Sequence, residues 1–479
     1  MKYTATRRGL RAALVAVVGG ALLLGGATAA HAAPTVDPSK TGSISIHKLK
    51  NPDTAKDIPA NGTQQDVSSL QPLGGVTFTI ARVDPVTYDL TKNSGWAALK
   101  NLTVATATAL QESQSKVTDA SGLAAFTNLP LGVYLVKETA TPPGVTPAAP
   151  FLITVPLTDP VATNTWLYDV HAYPKNAVIT ASKAVNDSAA VKLGDTVSWT
   201  ILGGIPNLPT IDGYKITDQL PAGLTHTSTT VSFDSGPETL VASDYTLSPV
   251  GTQPVSVVFT SSGLAKLAAN KTKKVKIVVG TTVNAVGNIS NTANVYSNLA
   301  SFAIAPGTPG GPLTTAPVAT KFGAVIVSKV SASNQTGLAE AKFAVFLSES
   351  DARANTNRVT IGGTSEWTTG TNGQVSISGL RFSNFANGAP VAEGAAGYQK
   401  YWLVETKAPD GYELLAEPIP FEVTEVVPTK NITVTDLPKN GGFILPLTGG
   451  PGAFATYAVG AALLIGTGVL LFRRRRRTA

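Results

Sequence analysis

The sequence predicts an all-β protein, antiparallel β-sandwich domains in tandem, set between two apolar ends that lie outside the fold. Three observations carry this. Short alternating runs rich in Val, Ile, Thr, Tyr and Phe fill the interior of the 479-residue chain, for example at 43–46, 76–80, 255–259 and 275–279. Gly, Pro, Asn and Asp interrupt these runs at short intervals, the punctuation of strands and turns. Both ends carry apolar stretches flanked by basic residues. Helix should be scarce, with 97–100 and 264–270 as candidate short helices or turns.

At the N-terminal end, Lys2, Arg7, Arg8 and Arg11 precede an apolar region at 12–29. Ala30-His31-Ala32 then supplies small residues at the two positions a signal peptidase reads. Residues 1–32 therefore read as a signal peptide. Cleavage after Ala33 would place Pro34 beside the scissile bond, so Ala32 is preferred. Export is expected, and with no cysteine the exported chain cannot be braced by disulfides.

Charge follows the same division. Taking four basic residues in 1–32 and five in 449–479 from the total of 37 leaves 28, against 30 acidic residues, a net of −2. The formal +7 of the whole chain is a targeting charge, so no nucleic-acid partner is expected. His31, His47, His171 and His226 are not spaced as metal ligands, and no P-loop, HExxH or GxSxG occurs. Neither a cofactor nor a metal nor metabolic catalysis is expected.

An internal repeat sets the domain order. Residues 134–144 (YLVKETATPPG) match 401–411 (YWLVETKAPDG), 73–78 parallel 338–343, and 170–176 parallel 434–440. The first and last sandwiches, 33–173 and 320–440, are thus copies of one fold. A different sandwich, 174–305, lies between them. Residues 306–319, rich in Pro, Gly and Thr, read as a linker. The first domain runs into the second with almost no spacer, so that join should be stiff.

The C-terminal end, 445–479, has three parts. Leu445, Pro446, Leu447, Thr448 and Gly449 precede an uncharged stretch at 453–472, and five arginines follow. As a helix, twenty residues span roughly 30 Å, the hydrocarbon thickness of a bilayer. The arginines would hold the end on the cytoplasmic side. Motif, span and basic tail in this order resemble the cell-wall sorting signal of Gram-positive surface proteins. The resemblance implies that a sortase cuts between Thr448 and Gly449 and passes the Thr448 carbonyl to an amine.

Residues 166–175 (WLYDVHAYPK) are similar to the pilin motif of sortase-assembled pilus shaft proteins, and 401–411 to their E-box. Ala172 stands where that motif usually has a larger aliphatic residue. The resemblance covers the whole chain. It implies Ig-like domains of CnaB type at both ends and of CnaA type in the middle. It also implies a major pilin, in which the Thr448 carbonyl is joined to the Lys175 amine of the next subunit. The implied partners are a pilus (class C) sortase, a housekeeping sortase, identical subunits and peptidoglycan, with tip or basal pilins and host-surface ligands beyond them. The implied location is a wall-anchored surface pilus. The alternative is a monomeric wall-anchored adhesin, or a minor or basal pilin.

Alternation also places ionisable groups inward. Lys329 shares a strand face with Val325 and Val327, Asp436 with Ile432 and Val434, and Glu405 with Tyr401 and Leu403. Left unpaired, each would cost several kcal/mol, roughly, on burial. One reading is a buried ion pair. The pilin resemblance implies an isopeptide bond from Lys329 to Asp436 with Glu405 moving protons, and Asn440 is the alternative partner. In the middle domain Lys183 shares a face with Ile179 and Ala181, and the resemblance makes Asp218 the catalytic acid. Residues 291–298 read as the last strand. The family's Tyr-x-Asn ending favours Asn298 as acceptor, with Asn294 as the alternative. In the first domain Lys48 and Glu138 match Lys329 and Glu405. Aligning the two Pro-Lys-Asn tripeptides puts Ala172 opposite Asp436, so a plain ion pair and no cross-link is expected there.

Overall fold

A computed structural model describes residues 35–52, 56–162, 165–249 and 251–439. Over these residues the chain is built of β-sandwiches, as expected, with a few short helices. The signal peptide, Asn440, the sorting motif 445–449 and the apolar stretch 453–472 lie outside the described residues, and no helix among the described residues is long and apolar enough to cross a membrane.

In the first sandwich, Gly42–His47 pairs in parallel with Asp169–Ala172 and antiparallel with Leu123–Leu129. The facing sheet runs Leu110–Val117, Thr77–Val83, Gly132–Ala140, Phe151–Val155. Alternation sends Ile44, Ile46, Phe78, Ile80, Phe126 and Val136 into the space between them. Lys175–Val178 is still hydrogen-bonded to this domain, through Leu49–Lys50 and Val145–Thr146. The first domain therefore runs a few residues past Tyr173.

The middle sandwich sets Ala181–Asn186, Thr196–Gly204, Lys274–Val283 and Leu224–Phe233 against a sheet centred on Lys215–Asp218. Trp199, Ile201, Tyr214 and Ile277 fill its core. The expected short helix is Ser261–Ala269, capped by Thr260, whose hydroxyl accepts from Gly263 N. Residues 306–319 are not a free spacer. Leu313–Thr314 adds an edge strand beside Asn294–Tyr296, and Gly310 N donates to Thr141 O of the first domain.

A single 14-residue strand, Val318–Ser331, joins the middle domain to the last. Its first residues pair with Gly287–Asn291 of the middle domain. The rest pairs with Gln374–Arg381 and, in parallel, with Thr429–Asp436. Gly323 allows the close approach this needs, since a Cβ there would sit 2.2 Å from the Pro428 carbonyl oxygen.

Candidate cross-linking sites

Each sandwich buries a lysine in its core against a buried carboxylate. In the last domain Lys329 Nζ lies 2.8 Å from Glu405 Oε1 and donates to Asp436 Oδ1, with all three side chains out of contact with water. Leu415 N donates to Glu405 Oε2 at 2.9 Å, fixing that carboxyl. Burial pushes the Glu405 carboxyl above its ordinary value. The three residues that alternation turned inward do meet.

In the middle domain Lys183 Nζ donates to Asp218 Oδ2 at 2.7 Å and to Thr292 O at 3.1 Å. Burial lowers the amine to about 8, against the opposing pull of Asp218, and raises the Asp218 carboxyl. The third member is Asn291, whose Nδ2 donates to Asp218 Oδ2 at 3.4 Å. Asn298 is not brought to Lys183. Its Oδ1 accepts from Ser301 N and its Nδ2 donates to Ser297 Oγ. Asn294 points elsewhere too, accepting from Thr314 Oγ1. The reason is a break in the strand. Residues 291–298 are not one element: Gly287–Asn291 ends at Asn291, and Asn294–Tyr296 pairs with different neighbours. Ile289 and Asn291 share the buried face of the first piece, a signal that was present in the sequence.

In the first domain the expected Lys48–Glu138 ion pair forms, but a third residue, Asn176, joins it. Lys48 Nζ donates to Glu138 Oε1 and to Asn176 Oδ1, both at 2.5 Å, and Asn176 Nδ2 donates to Glu138 Oε2 at 2.7 Å. Burial lowers the Lys48 amine. The tripeptide alignment was four residues off. In register, Asp436 lies opposite Ser331, two residues past Lys329, and Asn176 lies opposite Lys50, two residues past Lys48. Strand register makes Asn176, not Ala172, the counterpart of Asp436.

The three sites share a feature the sequence reading missed. An aromatic ring lies within 6 Å of each amine: Phe78 at 5.7 Å from Lys48, Trp199 at 5.5 Å from Lys183, Phe343 at 5.8 Å from Lys329. A ring face attracts the ammonium form, whereas burial pulls the Lys48 and Lys183 amines the other way.

Similarity to known proteins fits this geometry. The chain is 34% identical to "Fimbrial subunit type 1" of Actinomyces viscosus over 98% of each chain. It belongs to the fimbrial-subunit family of Gram-positive pilins. "Fimbrial subunit type 2" of Actinomyces naeslundii is 33% identical over 99% of this chain and 98% of the relative. The family described as Gram-positive pilin subunit D1, N-terminal domain, matches residues 39–177, and the SpaA prealbumin-like fold domain matches 323–438. Among solved structures, the full-length major pilin SpaD of Corynebacterium diphtheriae superposes with a TM-score of 0.67 at 27% identity, over 84% of this chain and 98% of that one. The protein is thus a structural subunit of a cell-surface pilus.

In this pilin Lys175 is half-buried at the junction of the first two domains, and its Nζ donates to Lys56 O at 2.7 Å. It ends a groove of about 510 Å³ whose walls include Ile58, Phe151, Ile153, Val170 and Tyr173. The junction itself is stitched: Ile179 N donates to Gly144 O, Gly144 N to Gly311 O, and Asn51 Nδ2 to Asn207 O.

Proposed function

We propose that this pilin is the shaft subunit of a covalent pilus, with the Thr448 carbonyl of one subunit joined to the Lys175 amine of the next. A pilus-type sortase would form that amide, and a housekeeping sortase would pass the finished fibre to peptidoglycan. The observation that carries the reading is the Lys175 amine at the end of an apolar groove beside a hydrogen-bonded domain junction. A head-to-tail contact of this kind does not close, so it builds a filament. Immunoblots of wall extracts should show a ladder of high-mass species that collapses to a single band in Lys175→Ala. A ladder that survives the substitution overturns the reading.

We further propose three internal isopeptide bonds: Lys48 to Asn176 with Glu138, Lys183 to Asn291 with Asp218, and Lys329 to Asp436 with Glu405. At the asparagines the neutral amine attacks the carboxamide carbon. The neighbouring acid holds the carbonyl oxygen and carries a proton to the departing nitrogen, so a C–N bond forms, another breaks, and ammonia leaves. At Asp436 the C–O bond breaks and water leaves. The chain from 33 to 448 should then weigh about 52 Da less than its sequence, two ammonia and one water. A deficit of about 35 Da would leave one ammonia-releasing site unlinked.

A further inference from the structure

The outer face of the Gly42–His47 strand carries a cluster that none of these reactions uses. His47 Nε2 lies 2.9 Å from His171 Nδ1, with the rings stacked at 5.2 Å and 19°. Tyr173 stacks on His47 at 4.9 Å and 12°. The 56–72 segment is fastened to this cluster. Gly62 O accepts from His171 N at 2.8 Å, and Gln65 N donates to Tyr173 Oη at 2.7 Å. The same segment supplies the Lys56 carbonyl that holds Lys175 Nζ.

We propose that the His47–His171 pair is an acid-sensitive clamp, holding the 56–72 segment over Lys175 at neutral pH and releasing it when both rings are protonated. With one ring N–H donating to the other ring's bare nitrogen, the contact is an ordinary hydrogen bond. A first added proton is tolerated, because Asp169 Oδ2 lies 3.3 Å from His171 Nε2. A second leaves two cationic donors face to face with no acceptor between them.

The charges that act on His47 are His171 and Asp169, both from the Asp169–Ala172 strand. On its other side the Leu123–Leu129 strand offers Leu123 and Ala125 in register, neither of which titrates. The 56–72 segment offers Gly62 and Gln65 at the cluster. Its own charges are Lys56, Asp57 and Asp66, of which Lys56 and Asp66 act on each other. Burial pushes the Tyr173 phenol above its ordinary value, so it carries no charge here. Burial first, and His171 second, pull His47 below its ordinary value, while Asp169 opposes them. A histidine depressed in the closed state binds its proton more readily once released. The closed state therefore loses stability as pH falls below about 6.5.

The consequence for polymerisation rests on Lys175 being the acceptor, but the clamp does not, so it is read without any sortase. Hydrogen exchange on the chain from 33 to 448, which contains every described residue, should show segment 56–72 losing about tenfold in protection between about pH 7.5 and pH 5, after correction for intrinsic rates. Acylation of Lys175 relative to exposed Lys137 in the same digest should rise several-fold over that range. Both changes should vanish in the His47→Phe, His171→Phe double variant. Ring titrations in the unsubstituted protein provide the second check, since the exported chain holds only three histidines to assign, His47, His171 and His226. The opening midpoint should coincide with the second protonation of the pair. Equal protection at both pH values, an undiminished pH response in the double variant, or an opening midpoint away from the ring titration would each overturn the clamp.

Discussion

Asn291 keeps its carboxamide oxygen buried without a partner while its nitrogen reaches Asp218, and Asp218 Oδ1 is likewise unpartnered. Buried orphans of this kind cost about 1–3 kcal/mol each, and in the linked state a protonated Asp218 carboxyl donating to the Asn291 carbonyl oxygen would satisfy both. Asn291→Ala should abolish the mass loss assigned to the Lys183 peptide, whereas Asn298→Ala should leave it intact. The pH response of the unlinked variant has a definite sign. Lys183 is pulled down from 10.5 to about 8 when buried, so between those values the unfolded chain binds more protons. Unfolding free energy of Asn291→Ala should therefore rise from about pH 8 to pH 9.5. Denaturant titrations should show that slope flatten in the Lys183→Met, Asn291→Ala double variant.

At the scale of strands, much was legible and the failures have a common cause. Period-two alternation turned Lys183 and Lys329 inward, the internal repeat matched Lys48 to Lys329, and all three are buried. Alternation also found Glu405 and Asp436. It could not locate acceptors whose position depends on where a strand stops or on which residue it faces. The break after Asn291 and the parallel register that places Asn176 beyond Lys48 are properties of pairing, not of a local pattern. The Pro-, Gly- and Thr-rich 306–319 segment misled for a similar reason. Composition reported its turns but not the Leu313–Thr314 edge strand that docks it. The strand across the second junction yields a prediction of its own. Gly323→Val drives a side chain into the Pro428 carbonyl and should destabilise the last domain by about 1–3 kcal/mol, read as a lowered unfolding midpoint in guanidinium.

Across the whole molecule the second junction is locked by buried charges that are not paired with each other. Arg381 donates to the carbonyls of Ala190, Phe382, Phe385 and Gly397, and no carboxylate lies within ion-pair distance of it among the described residues. Asp187 accepts from Thr320 Oγ1 and Asn387 N, and Tyr401 Oη donates toward Val191 O. Arg381→Met would strand several carbonyls at once and should cost about 2–5 kcal/mol, with the last two domains bending apart in small-angle scattering. The spanning strand has one more effect, on how such a fibre could be broken. Were Lys183 tied to Asn291 and Lys329 to Asp436, as proposed, a protease that clipped any loop between the members of either pair would leave the two ends still connected. Between Lys183 and Asp436, severing the subunit would then require a cut in 292–328, which neither bond would span. Within that stretch Asn294–Tyr296, Leu313–Thr314 and Val318–Ser331 are engaged in sheet, a poor fit to an enzyme that must pull its substrate straight, which leaves the exposed turns at 305–309 as the place such a cut would fall.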